Sequence, residues 1–284
     1  MGTTAGTVYV SDLDGTLLPP GGRLPDDDRR AIEGLVSRGV HFTVASARSV
    51  VSMQGVLGGL RLTLPVVCFN GGFVSELATG RHLRVATLET ERARGAWQLA
   101  KDLGLIPIVS TTDGVSEDQV WIAHERNEGV SLYVQDREAA QDPRLRFVDE
   151  PGGELGGRVT CLTVIERREA AEAWERAVLA EYGDALQPHL FDDIYMEGWT
   201  WVTVHAGAAT KGSAVRHVME RAGLADHRLV AFGDQENDLS LFAEADHAVA
   251  VANAVDAAKD AADEVIGHHA DGAVLRWLQE HAEG

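Results

Sequence analysis

Val8-Tyr9-Val10-Ser11-Asp12-Leu13-Asp14-Gly15-Thr16-Leu17 is an apolar run that ends in two acids and a glycine. Leu229-Val230-Ala231-Phe232-Gly233-Asp234-Gln235-Glu236-Asn237-Asp238 repeats the grammar near the other end of the chain. Each run reads as a buried strand, and acids at the carboxyl ends of parallel strands share one crevice, because open α/β sheets bind ligands there. Like charges repel, so several acids in one crevice need a cation. Carboxylate oxygens with no Cys or His beside them suit a hard ion, and Mg²⁺ in particular is held by one or two carboxylates plus substrate phosphate. The two stretches therefore predict Mg²⁺-dependent phosphoryl chemistry.

Working outward, the first third alternates strand and helix signals. Strands are expected at 8–10, 40–45 and 66–69, with a helix opened by Asp26-Asp27-Asp28 and ended by Gly39, and another over 50–57. Three acids in a row read best as a helix N-cap and first turn, where the dipole favours them. The last third repeats the pattern, with helices over 211–221 and 239–245 and strands over 229–232 and 248–251. All five strands are near-continuous apolar runs, the mark of strands covered on both faces. Each is followed within two residues by a small polar or acidic side chain: Asp12, Ser46, Asn70, Asp234, Asn253. Local turn chemistry alone favours such residues in loops, yet it does not ask for one after every strand.

The middle has another texture. After a hairpin (73–77 with 82–85), helix patterns at 91–103 and 168–182 are mixed with alternating strands at 120–123, 159–165 and 199–204. This predicts an α+β insert between two halves of one doubly wound parallel sheet: core 1–85, insert 86–200, core 201–284. Trp97, Trp121, Trp174 and Trp199 fall within it. Trp121, His124, Arg126, Trp199 and Trp201 are candidates for a substrate face, although aromatic residues on strands more often serve a core.

Composition removes several function classes. The chain has 284 residues, 45% of them apolar, enough for a sizeable core. A formal net charge of −19 argues against nucleic acid or an anionic membrane as partner, since those contacts need clustered Lys and Arg. It does not repel a phosphate substrate, because a bound metal and a few local cations set the field inside a site. The two cysteines, Cys68 and Cys161, sit in apolar runs and read as buried thiols of a reducing cytoplasm. With no basic start leading into an apolar stretch and no run approaching a span, a cytoplasmic protein is expected. Oligomeric state is not legible. Gly207 to Ser213 faintly echoes a phosphate-binding P-loop but lacks Gly-Lys-Ser in that order, and His124-Glu125 begins a zinc-protease pattern that no histidine completes.

The motifs together resemble the haloacid dehalogenase superfamily of phosphohydrolases, and the order core, cap, core is similar to its Cof-type members with a class IIB cap. Asp12-Leu13-Asp14-Gly15-Thr16, Ser46, Lys211 and Gly233-Asp234-Gln235-Glu236-Asn237-Asp238 stand in order as the four motifs, and the resemblance covers essentially the whole chain. A lone DxD is a weak signal, whereas DxDGT after a strand with a distant GDxxND is a strong one. The resemblance implies that Asp12 is a nucleophile forming an aspartyl-phosphate. Asp14 would be the acid and then the base. Asp12, the Asp14 backbone carbonyl, Asp234 and Asp238, direct or through water, would hold Mg²⁺. Thr16, Ser46 and Lys211 would bind the transferring phosphoryl group, Asn237 would donate to phosphate or orient the acids, and Arg48 would reach the far side of the substrate. Asn70 joins them as a phosphate- or substrate-binding candidate. With only three lysines against twenty-two arginines in the chain, a lysine at 211 is less easily incidental. Ser46-Ala47 stands where Thr-Gly is usual, and serine keeps the hydroxyl. Ala252 stands where Gly commonly precedes Asn253.

The resulting expectation is a Mg²⁺-dependent phosphatase of a small phosphorylated metabolite, sugar phosphate-like, with the cap excluding bulk water. Two alternatives stay open. A phosphosugar mutase would use the same aspartyl-phosphate and return it to substrate, and a non-hydrolytic phospho-acceptor would use the acids and Mg²⁺ for signalling or binding.

Overall fold

A computed structural model describes residues 6–116, 118–193 and 196–282. The chain divides into two compact units, Met1–Arg84 with Thr210–Gly284, and the intervening Val85–Ala209. The first unit begins with β1 (Thr7–Ser11), α1 (Asp26–Ser37), β2 (His41–Val44), α2 (Val50–Val56), β3 (Val66–Cys68), β4 (Phe73–Ser75) and β5 (His82–Val85). The second contains α3 (Thr90–Asp102), β6 (Ile108–Thr112), β7 (Asp118–Ala123), α4 (Glu128–Ala139), β8 (Leu145–Val148), β9 (Val159–Glu166), α5 (Arg168–Tyr182), β10 (Leu186–Asp192) and β11 (Thr200–Ala206). The chain then returns to the first unit with α6 (Lys211–Arg221), β12 (Arg228–Gly233), α7 (Leu239–Phe242), β13 (His247–Val251), α8 (Asp256–Ala261), β14 (Glu264–Ile266) and α9 (Ala273–His281).

The first unit is built on a parallel sheet of order β14-β13-β12-β1-β2. β3 continues its edge through a parallel bridge from Ala45 to Val67, and pairs with β4 and β5 in a small second sheet. β1, β12 and β13 are buried along nearly their whole length, as the unbroken apolar runs require of a sheet covered on both faces. From β1 the chain walks outward one way to β2 and β3, and from β12 the other way to β13 and β14. The direction therefore reverses between β1 and β12, the place where such sheets form a crevice. On α1, Ile32 and Leu35 are buried and the three acids fill the first turn, but Pro25 stands at the N-cap and no side chain caps the helix. The acids act through the dipole, and Asp26 and Asp27 also pair with Arg29 and Arg30 one turn on. α7 stops three residues short of the expected helix, because Glu244 and Ala245 donate to carbonyls only three residues back, the tighter winding of a helix end.

In the second unit the sheet runs β10-β11-β9-β6-β7-β8, antiparallel except for β7 with β8. Because β11 pairs with β9 and β10, the chain leaves this unit only at Thr210, beyond the expected junction near residue 200, and Trp201 belongs with the insert. Trp97 and Trp174 bring α3 and α5 onto Val109, Leu162, Val164, Val202 and Val204. Trp199 joins the cluster that α4 forms with Ile108, Val120, Ile122 and Ile165, and Trp121 packs against the α3/α5 cluster. α4 has no counterpart in the sequence reading, since Val130, Leu132, Tyr133 and Val134 spread around the helix and leave Leu132 exposed. Among the described residues no helix is long and apolar enough to cross a membrane.

Trp174 is fully buried and its Nε1 donates to the Ala96 carbonyl at 3.0 Å, joining α5 to α3. Trp174→Ala is expected to cost about 3–5 kcal/mol, read as a lowered midpoint in urea unfolding. A loss below ~1 kcal/mol would contradict this packing.

Candidate active site

The polar residues that follow the strands stand in the spatial order of the strands themselves: Asn253 after β13, Asp234 after β12, Asp12 after β1, Ser46 beyond β2 and Asn70 beyond β3. Backbone bonds carry the row past the strand ends. Asp12 N donates to Phe232 O at 2.9 Å, Ser46 N to Val67 O at 3.0 Å and Val255 N to Asp234 O at 2.9 Å. Gly15, at a φ of 79°, folds the β1 loop onto Asp234 so closely that a Cβ there would lie 2.4 Å from Asp234 Oδ2. The Thr16 hydroxyl, expected to face phosphate, donates instead to Asp234 Oδ1 at 2.8 Å.

Asp12, Asp234 and Asp238 converge: each offers a carboxylate oxygen within 4.8 Å of the others, and all three are buried. Lys211, at the first turn of α6 and fully buried, bridges two of them, with Nζ 2.6 Å from Asp12 Oδ1 and 2.7 Å from Asp238 Oδ1. Burial works against the lysine's charge, but the two carboxylates outweigh it and hold the ammonium protonated well above its ordinary range. One lysine cannot neutralise three acids. Burial therefore raises Asp12 well above the usual carboxylate value, with the Asp238 and Asp234 charges adding to it. Asp234 is pushed up to about 6, by burial first and then by Asp238.

The two oxygens of Asp238 are fully used. Oδ1 accepts from Lys211, and Oδ2 accepts from the backbone N–H of Asp234 at 2.9 Å and of Gln235 at 3.0 Å. Asp238 thus orients Lys211 and closes its own loop, whereas Asp234 accepts only from side chains, Thr16 at Oδ1 and, at 3.4 Å, Gln235 Nε2 at Oδ2, and Asp12 accepts from Lys211 at Oδ1. Asp14 lies outside the trio. Its carboxylate is gripped by Arg48 in two-pronged fashion, Nε to Oδ2 at 2.6 Å and Nη2 to Oδ1 at 2.7 Å, while Arg48 Nη1 donates to Ser52 at 2.9 Å. Arg48, expected at the far side of a substrate, thus holds Asp14. Ser46 is buried and its Oγ accepts from the Arg48 backbone N–H at 3.2 Å. Asn237 Nδ2 donates to Asn70 Oδ1 at 3.0 Å, not to an acid.

Asn253 was legible as a strand-end residue without an assigned role. Its Nδ2 donates to the Gly15 carbonyl at 2.7 Å and its Oδ1 accepts from His269 N at 3.0 Å, while His269 Nδ1 bonds the Leu18 carbonyl at 2.8 Å. This brace holds the β1 loop from the opposite end of the chain. Its only sequence signal was the asparagine following β13.

These residues fit a hard divalent cation. The donors are carboxylate oxygens, the cluster is buried, and Lys211 is the one cation in the hydrogen bonds described for its three acids. Asp12 and Asp234 would hold the ion. Without it, the proton on Asp234 is bound more tightly in the folded than in the unfolded chain. That contribution to stability is full below the ordinary value of 3.8 and is lost as pH rises through about 6. In chelator, Asp234→Asn is therefore expected to gain up to about 3 kcal/mol over the wild type on going from about pH 4 to about pH 8. Urea unfolding of both proteins at the two pH values reads the gap, and a gap independent of pH would contradict the charge surplus.

Known proteins resemble this chain over nearly its whole length. A family model described as haloacid dehalogenase-like hydrolase matches residues 9–278. The pyridoxal phosphate phosphatase YbhA of Escherichia coli is 23% identical, with 96% of this chain and 98% of that protein covered. A crystal structure from Thermotoga maritima superposes with a TM-score of 0.75 at 25% identity over 98% of each chain. A sugar phosphatase described as haloacid dehalogenase subclass IIB superposes with a TM-score of 0.73 at 16% identity, over 97% of this chain and 98% of its own.

Proposed function

Because the chain belongs to the haloacid dehalogenase-like hydrolases, with the fold of Cof-type, class IIB-capped members, and is a phosphatase, we propose that it hydrolyses a small phosphorylated metabolite through a phosphoryl group carried on Asp12. The observation that carries this reading is the buried trio of Asp12, Asp234 and Asp238 sharing one lysine. Its relatives point to the substrate class. One is named for pyridoxal phosphate and one structural neighbour for sugar phosphates, so a compact phosphate monoester of an alcohol is the substrate we assign.

In the first step an oxygen of the Asp12 carboxylate forms a bond to phosphorus while the bond from phosphorus to the alcohol oxygen breaks. Asp14 is the acid of this step: it gives a proton to the departing alkoxide and is left a carboxylate. In the second step Asp14, now a carboxylate, takes a proton from water as that water's oxygen attacks phosphorus, and the Asp12 carboxylate leaves. Lys211 fixes the orientation of Asp12 through Oδ1 and places a positive charge beside the transferring group. Arg48 holds Asp14 in one orientation and must loosen that grip for a proton to pass. Ser46 supplies a hydroxyl on the adjacent strand end. Asp12 and Asp234, with the Asp14 carbonyl, would hold Mg²⁺, which would supply the charge relief that lets a carboxylate approach a phosphate dianion. The two cysteines are buried thiols, which suits a reducing compartment, and we place the protein in the cytoplasm.

Asp12→Asn keeps the volume of the side chain and removes its nucleophilic charge. Turnover of p-nitrophenyl phosphate is expected to fall at least ~1000-fold while the unfolding midpoint holds or rises, since one buried negative charge is gone. Activity retained in that variant would overturn the assignment of the nucleophile.

Chelator is expected to abolish turnover, with Mg²⁺ restoring it and Ca²⁺ failing to, because the looser, larger shell of Ca²⁺ misplaces the reacting oxygens. Turnover that persists in chelator would remove the metal. Steady release of inorganic phosphate from hexose phosphates without an activating bisphosphate separates hydrolysis from a mutase, which would return the group to substrate.

A further inference from the structure

Three consecutive residues after β3, namely Phe69, Asn70 and Gly71, lie at positive φ, at 48°, 53° and 104°. Gln141 is the one other non-glycine residue with positive φ among the described residues. The left-handed region is costly for a bulky residue such as Phe69 and milder for Asn, and strain of this kind persists only where the surroundings over-determine it. The surroundings of this turn are parts of the active site. Phe69 N donates to Arg48 O at 3.0 Å and Asn70 N to Ser46 O at 3.1 Å, two bonds to the segment that follows β2. Gly71 lies against the Thr210 peptide, where a Cβ would come 2.2 Å from the carbonyl oxygen and 2.5 Å from its carbon. Thr210 caps α6, its Oγ1 accepting from Ser213 N at 3.1 Å, and the next residue is Lys211. On the third side, the buried Asn70 accepts from Asn237 through Oδ1, and its own Nδ2 has no hydrogen-bond partner despite burial.

We infer that the Phe69–Gly71 turn is a positioning element, and Asn70 and Gly71 positioning residues, which set Ser46, Lys211 and Asn237 around Asp12 for phosphoryl transfer. The inference rests on the phosphatase reading above. Ser46, Lys211 and Asn237 arrive from segments far apart in the chain, and this turn touches the backbone of the first, the peptide preceding the second and the side chain of the third. A relaxed turn would satisfy the chain's need to pass from β3 to β4. The strained one brings a glycine flat against Thr210 and sends an asparagine amide to Asn237.

The test separates backbone strain from side-chain linkage. Asn70→Gly removes the penalty of the left-handed region and also removes the amide. It is expected to unfold within about 3 °C of the wild type while kcat falls about 10-fold to 100-fold and KM changes by less than about 3-fold. Asn70→Ala loses the same amide and keeps the strain, so it is expected to match the glycine variant in kcat and fall below it in stability. Gly71→Ala is expected to lower kcat at least as far, through displacement of Thr210 and Lys211. If it does not fold, the two Asn70 variants still decide. Wild-type kcat in Asn70→Gly, or losses of kcat that merely follow stability across the series, would overturn the inference. Such a result alongside an inert Asp12→Asn would leave the phosphatase reading standing. A wild-type chain that releases no phosphate from any monoester would overturn both.

Discussion

The first unit is organised around an electrostatic imbalance: three buried carboxylates share a single ammonium group. Asp12, Asp234 and Asp238 could each have been solvated at the surface, where they would cost the fold nothing. They are instead buried at the meeting of two parallel strands. Lys211 is the internal counter-ion, and it is insufficient by design of the site rather than by accident of packing. A buried pair is a poor source of net stability, so the arrangement is better understood as one that fits a divalent cation. Burial first, and the neighbouring carboxylate charges after it, make Asp12 and Asp234 hold their protons more tightly than surface carboxyls do.

The surrounding backbone is arranged to keep that imbalance in place. Gly15 lets the β1 loop lie on Asp234, Asn253 and His269 hold the loop from behind, and the backbone amides of Asp234 and Gln235 fix one oxygen of Asp238 so that the other faces Lys211. These contacts link residues from both ends of the chain. The insert between them can therefore differ in sequence without disturbing the core's chemistry, provided that both halves of the sheet still meet at β1 and β12.

Much of this was legible in the amino-acid sequence. The unbroken apolar runs announced a parallel sheet covered on both faces, and the α/β core with an α+β insert follows from them. The polar residue after each run marked the carboxyl edge, because side chains there can only face the crevice or the loops around it. What was not legible has physical reasons. α4 carries no one-sided apolar stripe, and β14 has only three residues. The partners of side chains within the site were also hidden. Arg48, Thr16 and Asn237 each have several donors or acceptors within reach, and only the three-dimensional arrangement assigns them to Asp14, Asp234 and Asn70. Spacing places a residue at a site, but not the direction of its hydrogen bonds.

The convergence of distant acids on one cation is the claim on which the chemistry stands. Crystals of the wild-type chain equilibrated with Mn²⁺, an ion of the same ligand preference as Mg²⁺, would locate that ion by its anomalous scattering. The account predicts a single strong peak in contact with carboxylate oxygens of both Asp12 and Asp234. A peak bound elsewhere, or acids that remain in contact only with Lys211 at saturating ion, would contradict it.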